Sequence, residues 1–409
     1  MDFFNVVSTK KALELIEENF KDYNFHLEEV EILDSLDRII GEDIYSGVDV
    51  PQFNRSTVDG YAIVSSDSHG ASDSIPSVLE ILGEVRMGKK ADKKVSPGGA
   101  VYVPTGGMIP QGADTMIMIE NTEKLDDSTL LINKPLSNGE NIIAKGDDIR
   151  KGSLVLEIGR KITPQVMGVM GALGQMKIKV FKRPKFYIVS TGDEIVPIEE
   201  ELEFGKIRDI NSFALSGEIR KLGGEVVGSS IIGDDFHLLK EEVEKAVELS
   251  DIVLISGGSS VGTLDFTKDV IASFKGRGVF IHGMSIKPGK PTIVGEGLGK
   301  PIFGLPGHPV SSIIVFKALV EEFVKTKMNQ KEIKPQVKAR MDSNFPSSPG
   351  KLTYQMVKLK REEDGGYLAV PNFGKSSMIS LLKDSDGYVV LEIHEEGVYK
   401  GEERDVFLL

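Results

Sequence analysis

Between residues 184 and 330 the chain alternates short β-branched, apolar runs with segments of helical periodicity. Strands are predicted at 185–190, 225–232 and 251–256, and near 292–294 and 301–304. Helices are predicted at about 211–222, 236–249, 263–274 and 309–327. Strands that alternate with helices of about 10–15 residues indicate βαβ units with right-handed crossovers. The pattern therefore predicts an α/β domain over 181–330, with a mostly parallel sheet and helices on both faces.

The flanking regions have other patterns. Residues 9–19 predict a helix with Ser8 or Thr9 as its N-cap, and 35–42 predict a second short helix. Short alternating runs from 46 to 145 predict an inserted all-β domain. Similar short runs over 331–409 predict a small C-terminal β-barrel or sandwich. The remaining segments, 1–45 and 146–180, are predicted to form a linking region together.

Composition excludes several classes of function. The 409 residues are 40% hydrophobic and 27% charged, as expected for a globular protein. The formal net charge of −13 argues against nonspecific nucleic-acid binding, which requires a clustered positive surface. The chain has no cysteine, so disulfides, thiolate metal sites and a cysteine nucleophile are excluded, and a cytoplasmic location is expected. Neither a signal peptide nor an apolar run of about 18 residues is present, so no membrane association is predicted.

Five polar turns in the α/β region each come directly after a β-branched, apolar run. They are Thr191-Gly192-Asp193-Glu194, Gly233-Asp234-Asp235, Ser256-Gly257-Gly258-Ser259, Lys287-Pro288-Gly289-Lys290 and Leu305-Pro306-Gly307-His308. Ligands of open parallel sheets bind outside the carboxyl ends of the strands. The mixture of lysines and acids suits an anionic, phosphate-bearing ligand, with the acids free to carry a divalent cation.

Each turn also has a purely structural interpretation. The glycines after Ser256 bring backbone amides close to an anion, but a simple strand-to-helix turn has the same sequence. Lys287 and Lys290 lie on a proline-stiffened turn, which is either an anion site or a solvated surface turn. Glu194 and Asp265 are candidate Mg²⁺ ligands or helix-capping acids. The turns at Asp59, Thr105 and Asp148 are minor candidates on physical grounds alone.

The sequence lacks the motifs of several other kinds of active site. The six histidines show no metal-ligand spacing, so His308 is interpreted as a loop residue. No Gly-x-Ser-x-Gly elbow is present, and the glycines after Ser256 do not continue as a Walker loop.

Taken together, the motifs resemble the molybdopterin molybdenumtransferase family, which includes the C-terminal domain of gephyrin. The resemblance runs from about residue 8 to the C-terminus. The motifs that carry it, in chain order, are 51–56 (PQFNRS), 59–62 (DGYA), 105–107 (TGG), 110–114 (PQGAD), 139–141 (GEN), 146–148 (GDD), 190–194 (STGDE), 256–259 (SGGS), 287–291 (KPGKP) and 304–311 (GLPGHPVS).

The resemblance implies a homodimer whose active cleft is shared between subunits, with dimer contacts in the linking region. It also implies that adenylylated molybdopterin and molybdate react, with Mg²⁺, to give molybdenum cofactor and AMP. A molybdopterin adenylyltransferase is a possible partner.

The resemblance implies roles for individual residues of this chain. Glu194 and Asp265 resemble acids linked to Mg²⁺, and Lys287, Lys290 and Pro291 resemble part of the molybdate or pterin-phosphate site. The resemblance assigns further catalytic roles to Asp59, Thr105, Asp148 and Asp234. Further binding positions are Ser256, Gly257, Gly258, Ser259, Pro306 and Ser376.

The chain departs from the family pattern at several positions. Ile143, Lys351 and Met356 lie where arginines are common, and His308 replaces an asparagine. Since lysine is only a point charge, bidentate oxyanion recognition is lost at 351. Three alternatives to molybdate insertion stay open: insertion of tungstate, adenylyl transfer, and a non-enzymatic pterin-binding scaffold.

Overall fold

The computed structural model describes residues 6–257, 266–331, 336–363 and 365–409. Gly258, Ser259 and Asp265, which the sequence assigned to the site, lie outside the described residues. The helix predicted at 263–274 is present as Phe266–Ser273 within the described part of the chain.

The central sheet has six strands, four of which pair with one another in parallel. Their spatial order is Glu225–Ile232, Lys185–Thr191, Ile252–Gly257, Lys300–Leu305, Ile293–Gly297 and Gly278–His282. The first four pair in parallel, and the last two add antiparallel at one edge. The antiparallel pair 293–297 and 300–305 is joined by Leu298 and Gly299, whose φ values of 52° and 82° suit a tight hairpin turn. The prediction of a mostly parallel sheet is confirmed.

Helices cover both faces of this sheet, as predicted. Alternate side chains of the strand Lys185–Thr191 point to opposite faces, as the period of a strand requires. Phe186 and Ile188 share a core with the helix Asn211–Lys221. Tyr187 and Val189 share a second core with the helix Phe236–Leu249. Buried on both sides, the strand is apolar along most of its length.

The long helix predicted at 309–327 is present but not uniform. It consists of Pro309–Val315, a π-helical segment Phe316–Glu321, and Glu322–Lys327. The N-terminal helix Thr9–Asn19 packs against it, and Ser8 caps that helix by accepting a hydrogen bond from the Lys11 amide at 3.2 Å.

The segments before and after the inserted sheet pair with each other. The strand Leu27–Glu31 pairs with Lys177–Phe181, and Ile44–Tyr45 pairs with Leu154–Leu156. The helix Pro164–Ala172, capped by Thr163, follows this second pair along the chain.

The prediction of a helix at 35–42 is wrong. A 3₁₀ turn covers Ile32–Asp34, and Asp37 has a φ of 63°, which a right-handed helix does not admit. Ile39 and Ile40 instead form single bridges to Lys161 and Val180. The apolar spacing of this segment reflects burial against neighbouring chain, not helical periodicity.

The region 46–145 is a β structure with its own core. Its six-stranded sheet has the spatial order Thr115–Met118, Gly60–Ile63, Gly99–Val103, Ser77–Glu84, Thr129–Ile132 and Thr122–Lys124. A short ladder joins Arg55–Ser56 to Ile142–Ile143. Two 3₁₀ turns, Ser65–Ser68 and Ile119–Asn121, complete it.

Five C-terminal strands close into a barrel. They are Gln336–Met341, Leu352–Arg361, Tyr367–Pro371, Gly387–Leu391 and Glu403–Leu408, and each pairs with two others. The strand Ile286–Lys287 adds to Leu352–Arg361 in parallel, which attaches the barrel to the central domain. Shorter elements are Ile195–Val196, Ile207–Arg208, Phe345–Pro346, Gly397–Val398 and the helix Ser380–Lys383. No helix in the described ranges is long and apolar enough to cross a membrane.

A candidate active site at the carboxyl ends of the central strands

Strand register brings several predicted turns to one edge of the central sheet. Thr191 lies opposite Ile232 on one side and Gly257 on the other. Ser256 in turn lies opposite Leu305. The turns that follow these four parallel strands therefore start side by side, as the sequence predicted.

Gly257 shows how tightly these strand ends approach. Its φ is 111°, in the region that favours glycine. A Cβ atom built on it would lie 2.1 Å from the Thr191 carbonyl oxygen. The absence of a side chain is thus a structural requirement here, and it also leaves the strand end open for a ligand to approach the backbone.

Asp193, Glu194 and Asp234 follow the strands that end at this edge, while Asp265 lies outside the described residues. Thr191 Oγ1 donates to Asp234 Oδ1 at 3.3 Å, and the Asp234 amide donates to Asp193 Oδ1 at 2.9 Å. Glu194 is exposed, and its carboxylate accepts no hydrogen bond from the part of the chain that the structure describes. The carboxylate lies back over Gly192, whose built Cβ would be 2.6 Å from Glu194 Oε2. Glu194 is therefore free to accept a cation or a ligand proton.

Sequence reasoning missed two buried polar residues of the site, Asp209 and Asn211. Ser190 Oγ donates to Asp209 Oδ2 at 2.8 Å, and the Ser212 amide donates to Asp209 Oδ1 at 3.1 Å. Asn211 Nδ2 donates to Ser256 Oγ and to the Gly307 carbonyl oxygen, both at 2.8 Å. Asn211 Oδ1 is buried and has no partner among the described residues. The sequence offered one signal for this cluster: Asp209 lies just ahead of the helix predicted to start at 211, and an aspartate in that position commonly caps a helix.

We expect Asn211→Ala to lower the free energy of unfolding by about 1–3 kcal/mol, because it removes the donor to the buried Ser256 hydroxyl and to the partly buried Gly307 carbonyl oxygen. The urea midpoint of the purified variant measures this effect. Asn24→Ala is the matched control: its amide makes a single exposed hydrogen bond to Asp22, so its effect should stay within about 0.5 kcal/mol. Equal midpoints for the two variants would contradict the bridging role of Asn211.

The lysine turn lies between the central domain and the barrel. Lys287 is exposed, and its Nζ donates to Ser348 Oγ of the barrel at 2.6 Å. Gly289 packs against the start of the long helix, since a Cβ built there would lie 2.6 Å from Val315 Cγ2. Lys290 is also exposed and Pro291 is half-buried. The turn leads into Ile293, which lies opposite Gly304, so it lies near the end of the strand Lys300–Leu305.

The barrel contributes Ser376 to the same place. His308 Nδ1 and Ser376 Oγ are 2.9 Å apart, and the Val310 amide donates to the Ser376 carbonyl oxygen at 3.2 Å. Pro306 is buried beside them. Met356, by contrast, is only 3% exposed and belongs to the central core, so the residue at 356 does not face the cleft.

The remaining predicted residues lie in other parts of the chain. The Thr105 amide donates to Asp59 Oδ1 at 2.9 Å, so these two residues are neighbours in the inserted β region. Asp148 is exposed on a loop where its amide donates to the Val50 carbonyl oxygen at 3.1 Å. Across the described ranges, the sheet whose strand Gly60–Ile63 follows Asp59 shares no strand pairing with the central sheet. The predicted residues thus form two groups within one chain.

A cavity of about 500 Å³ lies elsewhere, at the end of the helix Asn211–Lys221 remote from Asn211. Residues of the linking region, the central domain and the barrel line it, but none of the predicted site residues does. Several of its charges are paired: Lys317 lies 2.8 Å from Glu218, and Lys161 lies 3.0 Å from Asp37. The chemistry at the strand ends, not cavity size, identifies the candidate site.

Over the described residues, no three histidine, aspartate or glutamate side chains cluster as a preformed metal site. The available donors are nevertheless suitable for Mg²⁺, which is held by one or two carboxylates and completes its shell with water and ligand phosphates. The unpaired carboxylate of Glu194 meets this requirement at the strand ends.

Comparisons with known proteins agree with this architecture. Residues 7–174 match the family model described as MoeA N-terminal region (domain I and II). Residues 187–326 match the probable molybdopterin binding domain, and 338–409 match the MoeA C-terminal region (domain IV).

Relatives match along most of the chain. A molybdopterin molybdenumtransferase of Staphylococcus aureus is 33% identical over 91% of this chain and 89% of its own length. A putative molybdopterin biosynthesis protein of Methanocaldococcus jannaschii is 32% identical over 99% of this chain and 98% of its own. The crystal structure of a molybdopterin biosynthesis MoeA protein from Pyrococcus horikoshii has a TM-score of 0.83 and 38% identity, and 99% of each chain is covered. The chain therefore belongs to the molybdopterin molybdenumtransferase (MoeA) family, whose enzymes act in molybdenum cofactor biosynthesis.

Proposed function

We propose that this enzyme inserts molybdate into adenylylated molybdopterin and releases AMP. The observation that carries the proposal is the convergence of acids and lysines at one edge of the central sheet. Acids follow the strands Lys185–Thr191 and Glu225–Ile232, while the lysine turn leads into Ile293, which pairs with Gly304 of the strand Lys300–Leu305. Asn211 connects the two sides through Ser256 and Gly307.

Lys287 and Lys290 are suited to bind an oxyanion such as molybdate. Molybdate and the pterin phosphate are both anions, and two exposed ammonium groups on a rigid turn attract them with little ordering of the backbone. Ser348 and Ser376 of the barrel lie beside Lys287 and His308 and add hydroxyl donors. In the proposed mechanism these groups hold molybdate against the pterin dithiolene, so that positioning supplies much of the rate gain.

The acids are suited to bind a cation at the adenylyl end of the substrate. Glu194, with Asp265 as the resemblance implies, would hold Mg²⁺. When bound, Mg²⁺ neutralises negative charge on the phosphates of the adenylyl link. In this proposal Glu194 and Asp234 also orient the water that cleaves that link to give AMP.

A turnover assay tests the proposal directly. Purified enzyme, adenylylated molybdopterin and Mg²⁺ are incubated with molybdate or with tungstate, and AMP is measured. Molybdate-dependent AMP release is the expected result. AMP release with tungstate but not with molybdate would favour the tungstate-inserting alternative. The sequence does not separate the two functions, because molybdate and tungstate are similar in size and charge.

Two other functions predict different results. An adenylyltransferase would adenylylate metal-free molybdopterin when given ATP, whereas the proposed enzyme would not. A non-enzymatic scaffold would bind adenylylated molybdopterin without turnover.

We expect Glu194→Gln to lower the rate of AMP release by about 10- to 100-fold at limiting Mg²⁺, because an amide does not neutralise the cation. Raising Mg²⁺ should recover part of this loss. Glu199→Gln is the matched control, since Glu199 is an exposed glutamate of the following loop and should keep the wild-type rate. Wild-type AMP release by Glu194→Gln at limiting Mg²⁺ would exclude this role.

The remaining predictions belong to this proposal. A division into 1–45 with 146–180, 46–145, 181–330 and 331–409 is supported by the strand pairs that join the first two segments. A homodimer, an adenylyltransferase partner and a cytoplasmic location stay predictions.

A further inference from the structure

The cavity of about 500 Å³ at the end of the helix Asn211–Lys221, here called the junction cavity, lies where three parts of the chain meet. Leu36 and Lys161 of the linking region, Arg220 of the central domain and Tyr388 of the barrel all line it. Its volume falls within the range of about 300–1,000 Å³ that is usual for small-molecule sites. The junction cavity is therefore large enough for a small organic ligand.

The charges that line the junction cavity do not cancel. Six basic and three acidic residues line it, and each acid lies beside a lysine. The pairs are Asp37 with Lys161 at 3.0 Å, Glu218 with Lys317 at 2.8 Å, and Glu321 with Lys325 at 2.9 Å. The basic residues left over are Arg183, Arg220 and Lys221, and none of them forms an ion pair with another described residue. Three unpaired positive charges thus surround the cavity in a chain whose net charge is −13.

These three cations also have structural contacts at the helix end. Arg220 and Lys221 lie in the last turn of the helix, where positive charge complements the negative end of the helix dipole. Arg183 Nη1 donates to the Gly223 carbonyl oxygen at 3.4 Å. Such contacts explain where the cations lie, but they supply no carboxylate. Because all three side chains are exposed, they are accessible to an anion that enters the cavity from solvent.

Tyr388 places an unused hydrogen-bonding group at the cavity. It is only 7% exposed, and its hydroxyl makes no hydrogen bond with any other residue that the structure describes. Burial raises the pKa of Tyr388, and the nearby Tyr354 and Glu321 raise it further, so the hydroxyl keeps its proton and can donate. A buried donor without a partner is unfavourable, and a ligand oxygen would satisfy it.

An aromatic wall accompanies this donor. Phe407 also lines the cavity and stacks on Tyr388, with ring centroids 5.7 Å apart and planes 24° apart. Leu222 and Leu408 add apolar surface beside these rings. The wall is therefore suited to the flat, apolar part of a ligand, while the cations lie at the helix end.

The opposite partners of the wall belong to an irregular helix. Lys317 and Glu321 are part of the π-helical segment Phe316–Glu321, and both line the cavity. Segments of this kind are rare and frequently lie at functional sites. Lys317 is only 8% exposed, and its contact with Glu218 holds two charged groups in fixed positions at the cavity.

We propose that the junction cavity is a second ligand site, which binds a small phosphate monoester that carries a flat ring. The guanidinium groups of Arg183 and Arg220 suit the phosphate, because their paired N–H groups match its oxygens. Lys221 adds a third positive charge. The ring would pack on the aromatic wall and accept no counter-charge there. None of the residues predicted for the strand-end site lines this cavity, so its ligand is distinct from the molybdate and the pterin substrate.

The absence of tryptophan from the chain makes binding at this place measurable. Phe407→Trp puts a single reporter in the aromatic wall, and Leu36→Trp puts one on the linking-region side while keeping Phe407. Tryptophan fluorescence of each variant is titrated with phenyl phosphate, with inorganic phosphate and with benzyl alcohol. We expect both reporters to give the same Kd for phenyl phosphate. This Kd should be at least about tenfold lower than that of inorganic phosphate or benzyl alcohol, because only phenyl phosphate contacts both the cations and the wall.

Substitutions in the Leu36→Trp background assign the binding groups. Arg220→Gln should raise the Kd for phenyl phosphate by about tenfold or more, because it removes a charge-assisted contact. Tyr388→Phe should raise it by a smaller factor, since it removes one neutral donor. Lys400→Gln is the matched control, because Lys400 is an exposed lysine of the barrel that does not line the cavity, and it should keep the original Kd. Urea midpoints check that each variant is folded.

Three results would overturn the proposal. The first is the lack of a saturable fluorescence change with phenyl phosphate at either reporter. The second is binding of inorganic phosphate or benzyl alcohol as tightly as phenyl phosphate, and the third is an equal Kd for Arg220→Gln and Lys400→Gln. The titrations contain no adenylylated molybdopterin and no molybdate, so their outcome is independent of the proposed reaction.

Discussion

Gly257→Ala is expected to lower the free energy of unfolding by about 3 kcal/mol or more, from backbone strain and a backbone clash together. The new Cβ would lie 2.1 Å from the Thr191 carbonyl oxygen, and this oxygen is backbone at the end of a strand that is paired on both sides, so it cannot rotate away. The φ of 111° adds strain for any residue with a side chain. Urea unfolding, monitored by circular dichroism, measures the change.

A glycine in a helix of the same domain provides the control. Gly217 lies exposed in the helix Asn211–Lys221, with no atom within 4 Å of a built Cβ. Gly217→Ala should raise the free energy of unfolding by about 0.5–1 kcal/mol, because alanine restricts the unfolded chain and favours the helix. If both alanine variants had the wild-type midpoint, the close approach of the strands at Gly257 would be contradicted.

Local periodicity predicted the central elements well. The strand Glu225–Ile232 and the helix Phe236–Leu249 have the bounds that their apolar patterns indicated. Their residues are selected by burial on one or two faces, which leaves a direct trace in the sequence. The order of the strands in the sheet left no such trace, because it depends on contacts between segments far apart in the chain.

Failures of prediction arose where distant contacts decide conformation. The segment 35–42 has apolar positions suited to a helix, but Ile39 and Ile40 bridge to residues more than a hundred positions away. The positive φ of Asp37 then excludes the helix. Such an override of local preference is typical of short segments that connect sheets.

The candidate site was predictable in part. The glycine turn follows a recognisable parallel strand, so its edge of the sheet could be inferred from the parallel arrangement. The lysine turn reaches the same edge through the antiparallel strand Ile293–Gly297, which the parallel arrangement did not indicate. The contact of His308 with Ser376 joins residues 68 positions apart and has no local signature. Asn211 was overlooked because a polar residue at a helix start usually has a local role, whereas here it bridges to Ser256 and Gly307. Asp59 and Thr105 required the family resemblance, since physically they are ordinary turn residues.

The second large effect is expected from Lys287. Lys287→Met should lower kcat/KM for molybdate by about 10²- to 10³-fold, as the loss of one positioned donor to an oxyanion does in other enzymes. Methionine keeps much of the side-chain length while removing the charge. Because Lys287 is exposed, the substitution should not destabilise the fold. An unchanged urea midpoint would show that the loss of activity does not come from misfolding. AMP release at varied molybdate concentration measures the effect.

Ser348→Ala separates the charge of Lys287 from its placement. The substitution removes the 2.6 Å hydrogen bond to Lys287 Nζ but leaves the cation, so we expect less than about a tenfold loss. Lys287→Arg keeps the charge with a different geometry and should lie between the two, because a planar fork does not replace a compact ammonium group. If Lys287→Met and Ser348→Ala lost activity equally, the serine hydroxyl and not the lysine charge would be the group that binds the oxyanion.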